Sequence, residues 1–163
     1  VSVRGDFKKL DRLVRFLGRM PQPEFKKGLV RAVVEAARGE VDESFSTAKD
    51  PWDRRWKPSR RAVAQSGQTL TDTARLRRSF SYALQADGFT LGTNVKYAGI
   101  HQYGGTIRPK GKKALRFKLG KEFVTVKVVR LPARPFIPEP ELSPRWERAF
   151  AEAISAYLEG AAP

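Results

Sequence analysis

The sequence predicts an α+β domain: an antiparallel sheet of about four strands, packed by one long N-terminal helix and a C-terminal helix, with extended loops. Three observations lead there. Apolar residues recur every four positions across residues 24–47, a stripe that drifts only slowly around a helix. Period-two alternation takes over from residue 79, interrupted by the turn pairs Asp87-Gly88 and Gly120-Lys121. A second helical stripe then runs from Trp146 to Leu158 behind a Ser143-Pro144 start. At 163 residues the chain has the size of one domain. A chain of that length buries about two-thirds of its unfolded surface and needs neither a metal nor a disulfide to fold.

Within residues 1–22, Asp6 can cap a short helix carrying Phe7, Leu10, Leu13, Val14 and Leu17, which Gly18 and Pro21-Gln22-Pro23 end. The helix of residues 24–47 follows, with Phe25, Leu29, Val33, Ala37, Val41 and Phe45 as its stripe and Val30 and Val34 widening it. Residues 48–71 read as a basic loop rich in Trp and Pro, or as a loop holding a short turn of helix that begins at Pro51. Trp52 and Trp56 stand four apart, which favours plugging a core from one face over stacking on bases.

Residues 72–129 form the sheet region. Thr71 or Asp72 caps a short helix, Thr73–Ser79, that buries Leu76 and Phe80. Phe80, Tyr82 and Leu84 alternate with polar or small neighbours, Asp87-Gly88 turns, and Phe89–Thr93 returns. Tyr97–Tyr103 reads as a helical turn ended by Gly104-Gly105, with Tyr97 and Ile100 inside. Residues 106–113 are a basic loop holding Arg108, Lys110, Lys112 and Lys113 among Pro and Gly. Leu115–Leu119 and the β-branched Phe123–Val129 make a hairpin about Gly120-Lys121. Residues 131–141 are a Pro-rich arm that cannot donate into a sheet interior. Residues 143–159 are the last helix, with Trp146, Phe150, Ala153, Ile154, Tyr157 and Leu158 on its apolar face.

Composition narrows the chemistry. Cys is absent, which removes disulfides, thiolate metal sites and cysteine nucleophiles together. One His, His101, leaves a zinc site or a His-dependent triad short of partners, and no Gly-x-Ser-x-Gly elbow or phosphate-cradling loop is present. No catalytic, cofactor or metal residues are therefore assigned, and an enzyme is not expected. No apolar window reaches the roughly 18 residues of a membrane span. The start, Val1 to Asp6, lacks the apolar core of a secretory signal, so export by that route is not expected.

Charge is the loudest signal. Lys and Arg total 32 against 17 acidic residues, a formal +15. Residues 49–121 hold 17 of those cations and only four acids, so the excess is concentrated in the loops and the sheet region. Such a concentration points to a polyanionic neighbour, either nucleic acid or an acidic protein surface. A non-specific nucleic-acid-binding module is accordingly the alternative function.

Residues 66–80, Ser-Gly-Gln-Thr-Leu-Thr-Asp-Thr-Ala-Arg-Leu-Arg-Arg-Ser-Phe, resemble the Thr-Gly-x-Leu segment of the phage virion morphogenesis family. That family includes the tail completion proteins of contractile-tailed phages and the Mu-type G protein. Residues 92–105, Gly-Thr-Asn-Val-Lys-Tyr-Ala-Gly-Ile-His-Gln-Tyr-Gly-Gly, are similar to its "Gly-Thr-Asn, Tyr-Ala, His-Gln-x-Gly" block. Residues 132–138, Pro-Ala-Arg-Pro-Phe-Ile-Pro, resemble its closing signature, and Trp56-Lys57-Pro58 occupies the place of its Trp-x-Pro step. The likeness runs from about residue 24 to 158, in the right order throughout. Ala74 stands where the family has Gly, so a continuous helix from Asp72 is expected there in place of a positive-φ turn.

The resemblance implies a structural virion protein acting in tail completion or as a head–tail connector (neck) subunit. It would assemble in the host bacterial cytoplasm as a ring, often sixfold, at the head-proximal end of the tail. The implied partners are further copies of the chain, portal or adaptor proteins, other neck proteins, and the tail tube or terminator. Packaged DNA is a possible non-specific contact, and no membrane is involved. Arg134, Pro135, Phe136, Ile137, Trp52 and Trp56 are the candidate interface. Phe136 would fill a pocket of its own subunit or a neighbour, and Arg134 would meet a carboxylate or backbone group; an intrachain strap over the sheet is the alternative. Arg108, Lys110, Lys112 and Lys113 would face the DNA channel or an acidic partner. Tyr97, Ile100, His101, Gly104 and Gly105 would form a structural turn, with His101 fixing it by a hydrogen bond.

Overall fold

The computed structural model describes residues 23–85, 88–111, 113–119 and 122–160. The expected helix within residues 1–22, the turn residues 86–87 and 120–121, and Lys112 lie outside the described residues. Helix α1 spans Pro23–Thr47 and buries Leu29, Val33, Val34, Ala37, Val41 and Phe45, the stripe its four-residue spacing predicts. Helix α5, Pro144–Gly160, begins where Ser143 sits buried, its Oγ accepting from the Trp146 N–H and its carbonyl from that of Glu147.

The two helices lie antiparallel. Near the start of α1, the Tyr157 hydroxyl donates to the Phe25 carbonyl (3.2 Å) and the two rings meet at 5.3 Å. Near its end, the Arg145 guanidinium reaches the Glu40 carboxylate (2.5 Å) and the Ser44 hydroxyl (2.8 Å). Gly28 permits this approach, because a Cβ there would stand 2.1 Å from the Tyr157 hydroxyl oxygen. Along α5, Trp146 and Phe150 are buried and Ile154 packs against the core, whereas Leu158, expected on the apolar face, is exposed.

Between these helices the described residues form three short helices and six strands. The helices are α2 (Arg60–Ala64), α3 (Arg75–Arg78) and α4 (Ala98–Tyr103). The strands are β1 (Phe80–Gln85), β2 (Gly88–Thr93), β3 (Gly105–Ile107), β4 (Leu115–Leu119), β5 (Glu122–Val126) and β6 (Val129–Leu131). The α+β class holds, but among the described residues the strands pair in twos and do not join into one sheet. β1 pairs with β2 from Phe80↔Thr93 to Gln85↔Gly88, and β4 with β5 from Leu115↔Val126 to Leu119↔Glu122. Both are antiparallel hairpins, but in the first Gly88 pairs with Gln85 as a strand residue, so residues 86–87 link the strands in place of the expected Asp87-Gly88. The third ladder joins β3 to β6, Gly105↔Leu131 to Ile107↔Val129, and so divides the expected strand Phe123–Val129. Lys127 bends the chain out of one ladder and Val129 enters the next.

Leu76, Leu91, Val95, Ala98 and Ile137 complete the core under α1 and α5. Its centre is aromatic. Phe45 meets Trp56 edge-on and stacks on Phe136, both at 5.5 Å, while Phe80 meets Phe136 edge-on at the same distance. Offset and edge-to-face pairs of this kind add about 0.5–1.5 kcal/mol each beyond the area they bury.

Candidate functional site

Two segments far apart in sequence, residues 56–57 and 101–104, converge on the Pro-rich arm. Prolines at 132, 135 and 138 keep it out of a sheet, so its backbone polar groups need side-chain partners. Gln102 on α4 supplies them. Its Oε1 accepts from the N–H groups of Phe136 (3.0 Å) and Ile137 (3.4 Å), and its Nε2 donates to the Ile137 carbonyl (2.7 Å). From the other side the Trp56 indole N–H donates to the Pro135 carbonyl (2.9 Å) and the Arg134 Nε donates to the Lys57 carbonyl (2.8 Å). The Arg134 N–H donates to the His101 carbonyl at 2.7 Å. Gly104, at φ +72, closes the turn; a Cβ there would stand 2.7 Å from the Ala133 nitrogen. At its far end the arm is tied by the Tyr103 hydroxyl, which donates to Glu139.

Phe136 and Ile137 are thereby buried in the core of their own chain, as are Arg134 and Trp56, and Pro135 is half-buried. The arrangement is the intrachain strap, and the Trp56, Phe136 and Ile137 side chains are not surface for a neighbour. The two tryptophans do not share a face. Trp56 is 5% exposed and Trp52 36% exposed, with the Arg54 guanidinium 5.4 Å from the Trp52 ring centre. No helix forms at Pro51. Instead the buried Asp50 carboxylate accepts from the Trp52 and Arg54 N–H groups, both at 2.9 Å, and folds the segment into a tight turn. α2 goes beyond the sequence expectation of loop; Ser59 caps it by accepting from the Ala62 N–H.

The α4 turn also departs from expectation in its side chains. Tyr97 is exposed, not inside, and Ile100 is half-buried. The His101 Nδ1 is buried without a hydrogen-bond partner, so the bond fixing the turn comes from its carbonyl and from Gln102. Burial, and after it the Arg134 charge, hold the imidazole below its ordinary pKa. Burial likewise lowers Arg134. Tyr97 covers the His101 ring edge-on at 5.9 Å.

Ala74 adopts φ +55, so the positive-φ turn persists without its glycine and α3 begins at Arg75, not Asp72. Thr73 assists by accepting from the Arg75 N–H at 3.4 Å. After α3, the Ser79 and Thr93 hydroxyls bond at 2.6 Å, and Thr93 also accepts from the Val95 N–H. The hairpin and the Gly-Thr-Asn segment are joined there. In the basic loop, Arg108, Lys110 and Lys113 are all exposed. Among the described residues no cluster of acids and His has the makings of a metal site, and no helix is long and apolar enough to cross a membrane.

Gln102 is the residue that sequence reasoning passed over. The only sign of it was its place in the His-Gln-x-Gly block, beside the paired glycines. Comparison with known proteins places those blocks in context. A family model described as the phage virion morphogenesis family matches residues 6–159. The chain is 28% identical over 131 residues to Mu-like prophage FluMu G protein 2 of Haemophilus influenzae, covering 80% of this chain and 77% of that protein. No solved structure matches the chain.

Proposed function

This chain belongs to the phage virion morphogenesis family, and on that premise we propose that it is a non-enzymatic tail completion or head–tail connector subunit. In this reading copies of it close into a ring at the head-proximal end of the tail. The family supports a structural role in building the virion. The similarity to a Mu-like prophage G protein points the same way.

One observation carries the step to a ring. Every ladder among the described residues has only two strands, so each strand keeps one edge unpaired. Those strands also expose Tyr82, Leu84, Ile107, Phe117 and Phe123. Unpaired edges beside exposed apolar side chains are liabilities in a lone molecule, and a repeating neighbour removes them. The basic loop 106–113 would then repeat around the ring, facing the DNA channel or an acidic face of a portal, adaptor or tail-tube protein.

The reading is tested by deleting the coding sequence from a phage or prophage that carries it and imaging the particles. Filled heads and tails that fail to join are the expected result. Joined, infectious particles would reject it.

A further inference from the structure

We infer that the cleft between α2, α3, α4 and β6 is a binding site for the carboxylates of an extended acidic segment of a partner protein. The cleft is about 780 Å³, and none of its lining residues belongs to the helices α1 and α5. Six cations line it: Lys57, Arg60, Arg61, Arg75, Arg130 and Arg134. Asp72 is the single acid on its walls and already stands 3.4 Å from Arg61.

The innermost cation is the informative one. Arg134 is 3% exposed, and its one side-chain bond uses Nε on the Lys57 carbonyl. Among the described residues no carboxylate lies within ion-pair distance of it. Beside it the His101 Nδ1 is buried with no partner. Arg134 lines the cleft with its terminal N–H groups uncommitted, and the buried, unpartnered His101 Nδ1 carries a desolvation cost unless something completes it. An anionic oxygen entering between them does so. It accepts from the free guanidinium N–H groups, and its charge favours a protonated His101 that donates as well.

The remaining lining decides between a peptide and a nucleic acid. Leu70, Val126, Val128, Val129 and Leu131 give the walls a mainly aliphatic character, with Tyr97 and Phe117 as the exposed aromatic rings among them. Aliphatic walls accommodate Leu- or Val-like side chains, whereas bases prefer flat aromatic platforms. Acidic side chains alternating with apolar ones along an extended chain match both features. This inference does not rest on the ring, because the cleft is complete within one subunit.

The single histidine makes the test direct, since His101 supplies the only imidazole resonance of the chain. The full chain is titrated with a peptide of four Glu-Leu repeats, with a Lys-Leu peptide and with a twelve-nucleotide single-stranded DNA. His101 is followed by nuclear magnetic resonance and affinity by fluorescence anisotropy. The Glu-Leu peptide should shift the His101 signal saturably and raise its apparent pKa, and the Lys-Leu peptide should do neither. Arg60→Gln, Arg75→Gln and Arg130→Gln combined, all exposed positions, should weaken the peptide at least tenfold. The double reversal Arg60→Glu with Arg75→Glu should do the same if the triple variant misfolds. An unmoved His101 signal at millimolar Glu-Leu peptide, or undiminished affinity in a folded variant, overturns the inference. So does DNA that moves His101 at lower concentration than the peptide, which would assign the cleft to nucleic acid.

Discussion

Replacing Gln102 by Leu should detach the Pro-rich arm from α4 while leaving most of the core in place. The side chain is 3% exposed and satisfies three backbone groups of the arm. Two of those bonds are short, at 3.0 and 2.7 Å, and the third, at 3.4 Å, is weak. A buried backbone group left without a partner costs about 1–3 kcal/mol, and the apolar burial of Leu offsets part of that, so a loss of roughly 2–4 kcal/mol is expected. Domains have only about 5–15 kcal/mol in total, so the variant should still fold but melt roughly 5–15 °C lower. Urea unfolding gives the global figure. Chymotryptic cleavage after Phe136 gives the local one, because that bond is protected only while the arm is held down. Gln102→Glu should be partly rescued by acid, since a protonated carboxyl can again donate to the Ile137 carbonyl. A loss below about 0.5 kcal/mol with unchanged protection would refute the view that Gln102 holds the arm.

Phe136→Ala should destabilise the subunit itself by about 3–5 kcal/mol in urea unfolding, because it empties the centre of the aromatic cluster; a stable monomer that merely fails to assemble would contradict the burial. His101 is held below its ordinary pKa of 6.5, so the unfolded chain binds a proton that the folded chain refuses. Stability should be full above about pH 6.5 and decline as pH falls toward the folded value, and His101→Gln should remove that part of the slope. Unfolding measured from about pH 8 down to pH 5 checks it, and identical slopes would count against it. Lys110→Glu, Lys112→Glu and Lys113→Glu combined should spare folding, as judged by circular dichroism, but impair head–tail joining or DNA retention. Full infectivity of that variant would exclude a contact role for the loop.

Local patterns were legible in the sequence, and contacts between distant segments were not. Spacing of four residues marked α1 because a single helix face is a property of adjacent turns. Asp87-Gly88 marked the first hairpin and Ser143-Pro144 the last helix for the same reason: each is decided within a few residues. The β3–β6 ladder joins segments more than twenty residues apart, and Val129 looked like the end of one strand because its true partner, Ile107, carries no local sign. Ala74 keeps a positive φ that alanine disfavours, so tertiary context overrides the residue's own preference there. Trp52 and Trp56 were expected to share a helix face; the Asp50-centred turn separates them. Of the candidate site, the motif blocks were visible as separate pieces. That Gln102, Trp56 and Arg134 tie those pieces together required the fold, since each bonds to a backbone group at least 34 residues away.

The proposed assembly role is tested most directly by counting. The mass of the purified chain in solution, taken with its copy number in purified particles, should give a closed ring of fixed size and the same few copies per virion. A chain that stays monomeric at every concentration and is missing from the particles would contradict the account.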